Sequence, residues 1–207
     1  MCFLNLGGVG NVTWADPEAE GPEAPGALVA FDTGPANALI DDWMRTRAGA
    51  SCDLDGAAAA AGRVHEDRLA RNSVSDWLAR RPPKSLDRND FAQVSSGMEG
   101  LGVEDGAATL TALSARCAAA AQAHLPGPAA AWILCGGGRR NPTLARMIAE
   151  QVEAPTLSAE EAGLDGGLME AQAFAYLAVR ALRGLPLSAP GTTNCAAPTV
   201  GGRISRP

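Results

Sequence analysis

Apolar and polar positions alternate from the first residues of the chain. Phe3, Leu4 and Leu6 predict a short buried strand, and Val12 and Trp14 alternate on a return strand, so Gly7, Gly8 and Gly10 fall where the two reverse. Ala27 to Phe31 reads as a third strand ending at Asp32. Helical spacing begins at Asn37 and runs to Thr46, with Leu39, Ile40, Trp43 and Met44 as its apolar positions. Arg63 to Arg80 carries two short amphipathic helices, the second anchored by Trp77 and Leu78, before Pro82-Pro83 breaks the chain. Asp105 can cap a long helix through Leu110, Leu113, Cys117 and Ala120 that ends near Pro126-Gly127-Pro128. The apolar run Ala130–Leu134 predicts a buried strand. A loop from Ala154 to Gly167 precedes a last helix, about Leu168 to Leu182, and a tail rich in Gly, Pro and Thr. Strands alternating with helices give an α/β layer structure, and the opening hairpin makes its sheet mixed.

Two glycine clusters stand at strand ends. The first is Asn5-Leu6-Gly7-Gly8-Val9-Gly10-Asn11, where glycines let backbone N–H groups approach an anion with no Cβ in the way. The second is Cys135-Gly136-Gly137-Gly138-Arg139-Arg140-Asn141-Pro142. There Asn141 suits an N-cap and Pro142 the first helical position, and Leu144, Met147 and Ile148 form the apolar stripe. A helix N-terminus behind a bare backbone suits a flat or anionic ligand. The second cluster has neither the G-x-G-x-x-G spacing nor the Gly-Lys-Ser/Thr ending of the common nucleotide loops. Alone, the first cluster reads more readily as a plain Gly-rich hairpin than as a ligand site, and the second is equally an ordinary tight strand-to-helix turn.

Composition narrows the chemistry less than the turns do. A formal net charge of −6 argues against nucleic acid or an anionic membrane as partner, without excluding a nucleotide that needs only local donors. No apolar run approaches the ~20 residues of a membrane span, and the N-terminus lacks signal-peptide regions, so a cytoplasmic location is expected. Cys2, Cys52, Cys117, Cys135 and Cys195 are far apart and odd in number, which argues against a disulfide framework or a zinc site. His65 and His124 lie in polar segments expected to be exposed, and neither is given a catalytic role. Asp53-x-Asp55-Gly56 has acidic residues spaced as at the start of a calcium loop, but its glycine comes too early and the closing acid is missing. Lys84 is the only lysine, and a lone lysine ordinarily belongs to a solvated face.

Six segments in fixed order make the chain resemble the anhydro-N-acetylmuramic acid kinases. They are the Asn5–Trp14 hairpin, Phe31-Asp32-Thr33-Gly34-Pro35-Ala36-Asn37, Asp53-Leu54-Asp55-Gly56, Pro82-Pro83-Lys84-Ser85, Cys135–Asn141 and Glu170-Ala171-Gln172-Ala173-Phe174-Ala175. The resemblance implies an actin/hexokinase-like (ribonuclease H-like) ATPase fold, in which two α/β domains close on ATP. It makes residues 1–207 the C-terminal, nucleotide-binding domain, with a helical insertion at about 50–128. The hairpin turn resembles the second phosphate loop and the triple glycine the adenosine motif. Gly7, Gly8, Asn11, Gly136, Gly137, Gly138 and Asn141 are thereby implied in binding ATP, with Mg²⁺ bridging its phosphates. Asp32, Asn37 and Glu170 are implied on the side of the sugar, 1,6-anhydro-N-acetylmuramic acid. For Asp32 a turn-stabilising role competes, and for Glu170 a favourable place at a helix start.

The resemblance also implies a preceding domain with a Ser-Gly-Thr-Ser phosphate loop and a water-activating aspartate, neither of which is in this sequence. The chain is therefore expected to be half of a kinase, truncated or a gene fragment, with no catalytic base of its own and no turnover alone. Apolar residues that would meet the other half, from the hairpin and the last helix, are expected to be exposed; a homodimer is a further expectation. Ala36, Gly10, Gly167, Asn194 and Leu86-Asp87-Arg88-Asn89 depart from the family pattern. Two other readings stay open: a non-catalytic nucleotide-binding remnant or regulatory module, and a different sugar kinase of the same fold.

Overall fold

The structure is a computed structural model that describes residues 1–71 and 74–205. Its centre is a five-stranded mixed sheet of order β3-β2-β1-β4-β5. β1 (Cys2–Leu6), β2 (Val9–Ala15) and β3 (Leu28–Pro35) form an antiparallel meander. β4 (Trp132–Cys135) and β5 (Thr156–Ser158) add to it in parallel. Period-two alternation decides which side is covered. Cys2, Leu4 and Leu6 of β1, with Val12, Trp132 and Leu134, pack on α6 (Val103–Ala120) and α7 (Pro142–Ala149). The opposite face carries only a small cluster of Ile133, Cys135 and Ala159, with Phe3 half-buried against it.

Between the third strand and β4 the described chain is helical. α1 (Asn37–Ala48), α2 (Ala57–Ala61), α3 (Glu66–Arg71), α4 (Ser75–Ala79) and α5 (Ala92–Ser96) enclose a second core with α6. α6 serves both cores, Leu110, Leu113 and Cys117 in the helical one and Ala115 and Ala118 under the sheet. Alanine and glycine on α6 allow this close packing. Trp43 lies against Gly106, where any Cβ would enter its ring, and its indole N–H donates to the Val103 carbonyl at 2.9 Å. Gly34 has φ +152, and a Cβ there would sit 2.7 Å from Cys117 Cβ, so β3 and α6 meet on a glycine.

Four expectations are corrected. β3 does not end at Asp32. It runs on to Pro35, because a register shift at Gly10/Asn11 lets Gly34 and Pro35 pair with Gly10 and Val9. Asp105 does not cap α6, which starts two residues earlier after Gly102; instead its carboxylate accepts from the Arg63 N–H at 2.9 Å and contacts His65 Nε2 at 2.8 Å. The 154–167 loop contains β5, a three-residue strand too short to show alternation and fixed by its neighbour β4. His65 and His124 are partly buried, not exposed, and His124 Nε2 bonds the Leu78 carbonyl at 2.7 Å. The chain closes with α8 (Met169–Leu182) and a short α9 (Pro190–Thr193).

Candidate functional site

β1 and β4 are adjacent and parallel, so their C-terminal ends emerge side by side, and each runs directly into a glycine turn. Ends of neighbouring parallel strands are where open α/β sheets bind ligands. The two turns touch. Gly136 has φ +71 and abuts Asn5 Oδ1 so closely that no side chain fits. A Cβ on Gly138 would lie 2.6 Å from Leu6 Cβ and 2.8 Å from Asn37 Nδ2. Asn37 ties α1 to the hairpin turn, donating from Nδ2 to the Leu6 carbonyl at 2.7 Å and from its backbone to the Gly7 carbonyl at 2.9 Å.

Gly137 is different: it is exposed, and a Cβ there would meet nothing within 4 Å. It opens on a cleft of about 310 Å³ lined also by Gly138, Asn141, Arg140, Asn37 and Asp55. Asn141 caps α7 as its sequence predicts, Oδ1 accepting from the Leu144 N–H at 2.9 Å, with Pro142 following. Asp53 in the same wall is occupied, its two oxygens accepting from the Ala58 and Ala59 N–H groups at 2.8 and 3.0 Å. Arg139 braces the turn from behind, with one bond to the Gly136 carbonyl at 2.7 Å and an ion pair to Glu160 at 2.8 Å.

A second cleft, of about 410 Å³, lies over the other end of the sheet. Asn11, Asp32, Lys84, Ser85, Thr193 and Asn194 line it. Asn11 and Asp32 are register partners on β2 and β3, and Asn5 is the partner of Asn11 on β1, so three polar side chains form a row across the uncovered face. Asp32 Oδ2 accepts from the Leu86 N–H at 2.7 Å. Burial pushes the Asp32 carboxyl above its ordinary range, and the Leu86 bond opposes this. Lys84 is half-buried rather than solvated. Its ammonium donates to the Trp77 and Leu78 carbonyls, each at 3.2 Å, at the C-terminal end of α4, and lies over the Phe31 and Trp77 rings.

The structure thus regroups the expected residues. Gly137, Gly138 and Asn141 share one cleft with Asn37, while Asn11 shares the other with Asp32. Gly7 and Gly8 sit at the turn beside Asn37, and Glu170 is an exposed residue in the first turn of α8 that lines neither cleft. Asn5 was not among the expected site residues. Its carboxamide lies between the two turns, Oδ1 at Gly136 and Nδ2 3.8 Å from where Gly7 would carry a Cβ. The available signal was an exposed amide at an alternate position of a buried central strand. Among the described residues no three His, Cys, Asp or Glu side chains gather as a metal site, and no helix is long and apolar enough to cross a membrane.

Comparison with known proteins adds a family and a length. A family model described as anhydro-N-acetylmuramic acid kinase matches residues 1–206. Anhydro-N-acetylmuramic acid kinase 1 of Jannaschia sp. (strain CCS1) is 50% identical over 207 residues, all of this chain and 55% of the relative. The anhydro-N-acetylmuramic acid kinase of Cereibacter sphaeroides is 53% identical over 207 residues, all of this chain and 56% of the relative. The chain therefore spans about half the length of the curated relatives it matches. Among solved structures, the activator of the 2-hydroxyisocaproyl-CoA dehydratase from Clostridium difficile with bound ADPNP aligns with TM-score 0.48 and 15% identity. That alignment covers 76% of this chain and 53% of the activator.

Proposed function

The chain belongs to the anhydro-N-acetylmuramic acid kinase family, and from that premise we propose that it is the C-terminal, nucleotide-binding half of such a kinase. The observation that carries this is the junction of two glycine turns at the ends of parallel β1 and β4, with the Gly137 cleft on one side and the Asp32 cleft on the other. The C-terminal placement rests on the resemblance, in which both turns belong to that half. The mixed sheet with flanking helices supports the actin/hexokinase-like reading. The whole enzyme would move the ATP γ-phosphoryl group to the sugar O6 while water opens the 1,6-anhydro ring. Its product would be N-acetylmuramic acid 6-phosphate, formed in the cytoplasm during peptidoglycan recycling.

In this reading Gly136, Gly137, Gly138, Asn141 and Asn37 hold the adenosine. The open space over Gly137 fits a flat base. Gly7, Gly8, Asn11 and Asn5 face the phosphates. Phosphoryl transfer depends mainly on positioning and charge stabilisation. Mg²⁺ would arrive with the nucleotide as its counter-ion, and no side chain of this chain is assigned to it. Asp32 is the one carboxylate lining the second cleft, partly buried and with its pKa raised, which suits it to accept a proton from the attacking water or to bind a sugar hydroxyl. This gives the chain a candidate base of its own, in addition to the aspartate that the resemblance places in the other half. Glu170 on α8 would reach the sugar only on closure of the two halves.

The test is turnover and sugar binding by the purified chain. With ATP, Mg²⁺ and 1,6-anhydro-N-acetylmuramic acid, no phosphoryl transfer above a no-protein control is expected, since half of the enzyme is present. Sugar binding, followed by protein-observed NMR, is expected at Asp32 and Ser85 and is lost in Asp32→Asn. Turnover by the chain alone would contradict the assignment as a half. Shifts elsewhere, with Asp32→Asn unchanged, would remove the sugar from this cleft.

A further inference from the structure

The Gly137 cleft holds a carboxylate that the fold itself does not use. Three residues of its wall, Asn37, Ile40 and Asp41, come from α1 at spacing i, i+3 and i+4, so one face of the helix forms that wall. Asn37 fixes the direction of the face. Its side chain bonds the Leu6 carbonyl at 2.7 Å and lies 2.8 Å from where Gly138 would carry a Cβ. Asp41 follows four residues, about 6 Å, further along α1 from the junction of the two glycine turns. Among the described residues its carboxylate makes no hydrogen bond or ion pair, and the nearby cations are already engaged: Arg45 and Arg88 both bond Asp42. Asp41 is half-buried nonetheless. Burial, then the neighbouring Asp42, pushes its pKa above the ordinary carboxylate value against the pull of Arg45 and Arg88. A carboxylate withdrawn from water ordinarily has a partner, because burial without one is costly.

The other two carboxylates of the cleft are differently placed. Asp53 is spent on the Ala58 and Ala59 N–H groups, and Asp55 is exposed to water. Ile40, Leu54 and the bare Gly137 give a base apolar surface to lie on, whereas an ionised Asp41 can only accept hydrogen bonds. A ribose presents two adjacent hydroxyl donors, and an acidic residue takes the ribose 2′-OH in the dinucleotide-binding folds. The order along α1 matches the order along a nucleotide. Asn37 touches the junction to which the phosphates are assigned, Asp41 comes one turn later, and the ribose is the group joined to the phosphates. We propose that Asp41 is a specificity-determining residue that accepts from the vicinal hydroxyls of the ribose, so that the cleft selects ribonucleotides over 2′- and 3′-deoxyribonucleotides. This rests on reading the Gly137 cleft as the nucleoside site. Hydrogen bonds to a charged acceptor make the expected preference roughly tenfold.

Affinities of the chain for ADP, 2′-deoxy-ADP and 3′-deoxy-ADP, taken from protein-observed NMR titrations, test this. Wild type is expected to prefer ADP about tenfold. Asp41→Ala is expected to bind all three alike, at the level wild type shows for the deoxy forms, and Asp41→Asn, which keeps an acceptor without the charge, to retain part of the preference. The unaltered chain supplies a second readout in the Asp41 carboxyl ¹³C signal, identified by its loss in Asp41→Asn. With ADP bound it is expected to titrate at lower pH, because hydroxyl donors favour the charged form, and with 2′,3′-dideoxy-ADP it is not. A ribose preference that survives Asp41→Ala would overturn the proposal and leave the nucleotide site standing. So would the lack of any preference in a wild type whose ADP binding is lost in Gly137→Val. A changed ratio of ADP to GDP affinity in Asp41→Ala, with the ribose preference intact, would give Asp41 to the base and overturn the proposal. Absence of ADP binding by wild type would remove both the nucleotide site and the role of Asp41.

Discussion

A Cβ added at Gly136 would run into Asn5, one at Gly138 into Leu6 and Asn37, and one at Gly137 would meet nothing within 4 Å. Three identical residues in a row therefore answer differently to one methyl group. Gly136→Ala and Gly138→Ala are expected to lower stability by about 1–3 kcal/mol through overpacking, while Gly137→Ala stays within about 0.5 kcal/mol of wild type; urea denaturation checks all three. Asp32 carries the opposite kind of signature. Its pKa is raised in the folded state, so above the unfolded carboxylate range its charge works against folding, and that penalty fades as pH falls. Asp32→Asn keeps an acceptor for the Leu86 N–H and is expected to melt no lower than wild type at pH 7 while losing the sugar. Of these residues, Asn141 was legible because capping is local chemistry. Lys84 was not, since what buries it is the Phe31 ring, far away in sequence, together with Trp77, and only the packing of α4 on β3 brings those two rings to it.

Elements were legible where a periodic stretch was long enough. The hairpin, α1 and α8 follow their apolar spacing closely, whereas β5 has three residues and depends on β4 for its existence. The length of β3 depended on a register shift that propensity does not reveal. The start of α6 shows the same limit. Asp105 looks like a cap by type and place, yet its carboxylate holds the Arg63–His65 segment instead. The Arg63 N–H bond and then His65 hold the Asp105 pKa below the ordinary carboxylate value. For a depressed carboxylate the stabilising contribution is present above the unfolded pKa, near 3.9, and is lost as pH falls through the lower folded value. Chemical denaturation between about pH 5 and pH 2 should therefore show a smaller loss of stability in Asp105→Asn than in wild type. An unchanged acid limb would mean that Asp105 does not link α6 to that segment. Asn141→Ala, which removes the α7 cap, is expected to cost about 1 kcal/mol.

At the scale of the molecule, the exposed apolar surface is unequally placed. Of the two regions expected to be bare, the hairpin is largely covered, whereas Leu168 precedes an α8 that exposes Phe174, Tyr176, Val179 and Leu182. Phe174 is 66% and Leu182 67% exposed, and large apolar side chains left bare on one helix favour association. Sedimentation velocity should show concentration-dependent self-association that Phe174→Ser/Leu182→Ser together reduce; a monomer at all concentrations would contradict this. Two glycine turns at the ends of β1 and β4 are proposed to form a nucleotide site within this chain. Calorimetric titration with ADP tests it most directly, using wild type, Gly137→Val, at a cleft-lining position where an added Cβ meets nothing within 4 Å, and Glu99→Ala, on an exposed residue outside both clefts. Weak binding to wild type, the same binding to Glu99→Ala and none to Gly137→Val are expected. Equal affinity of wild type and Gly137→Val, or no binding by wild type, would contradict it.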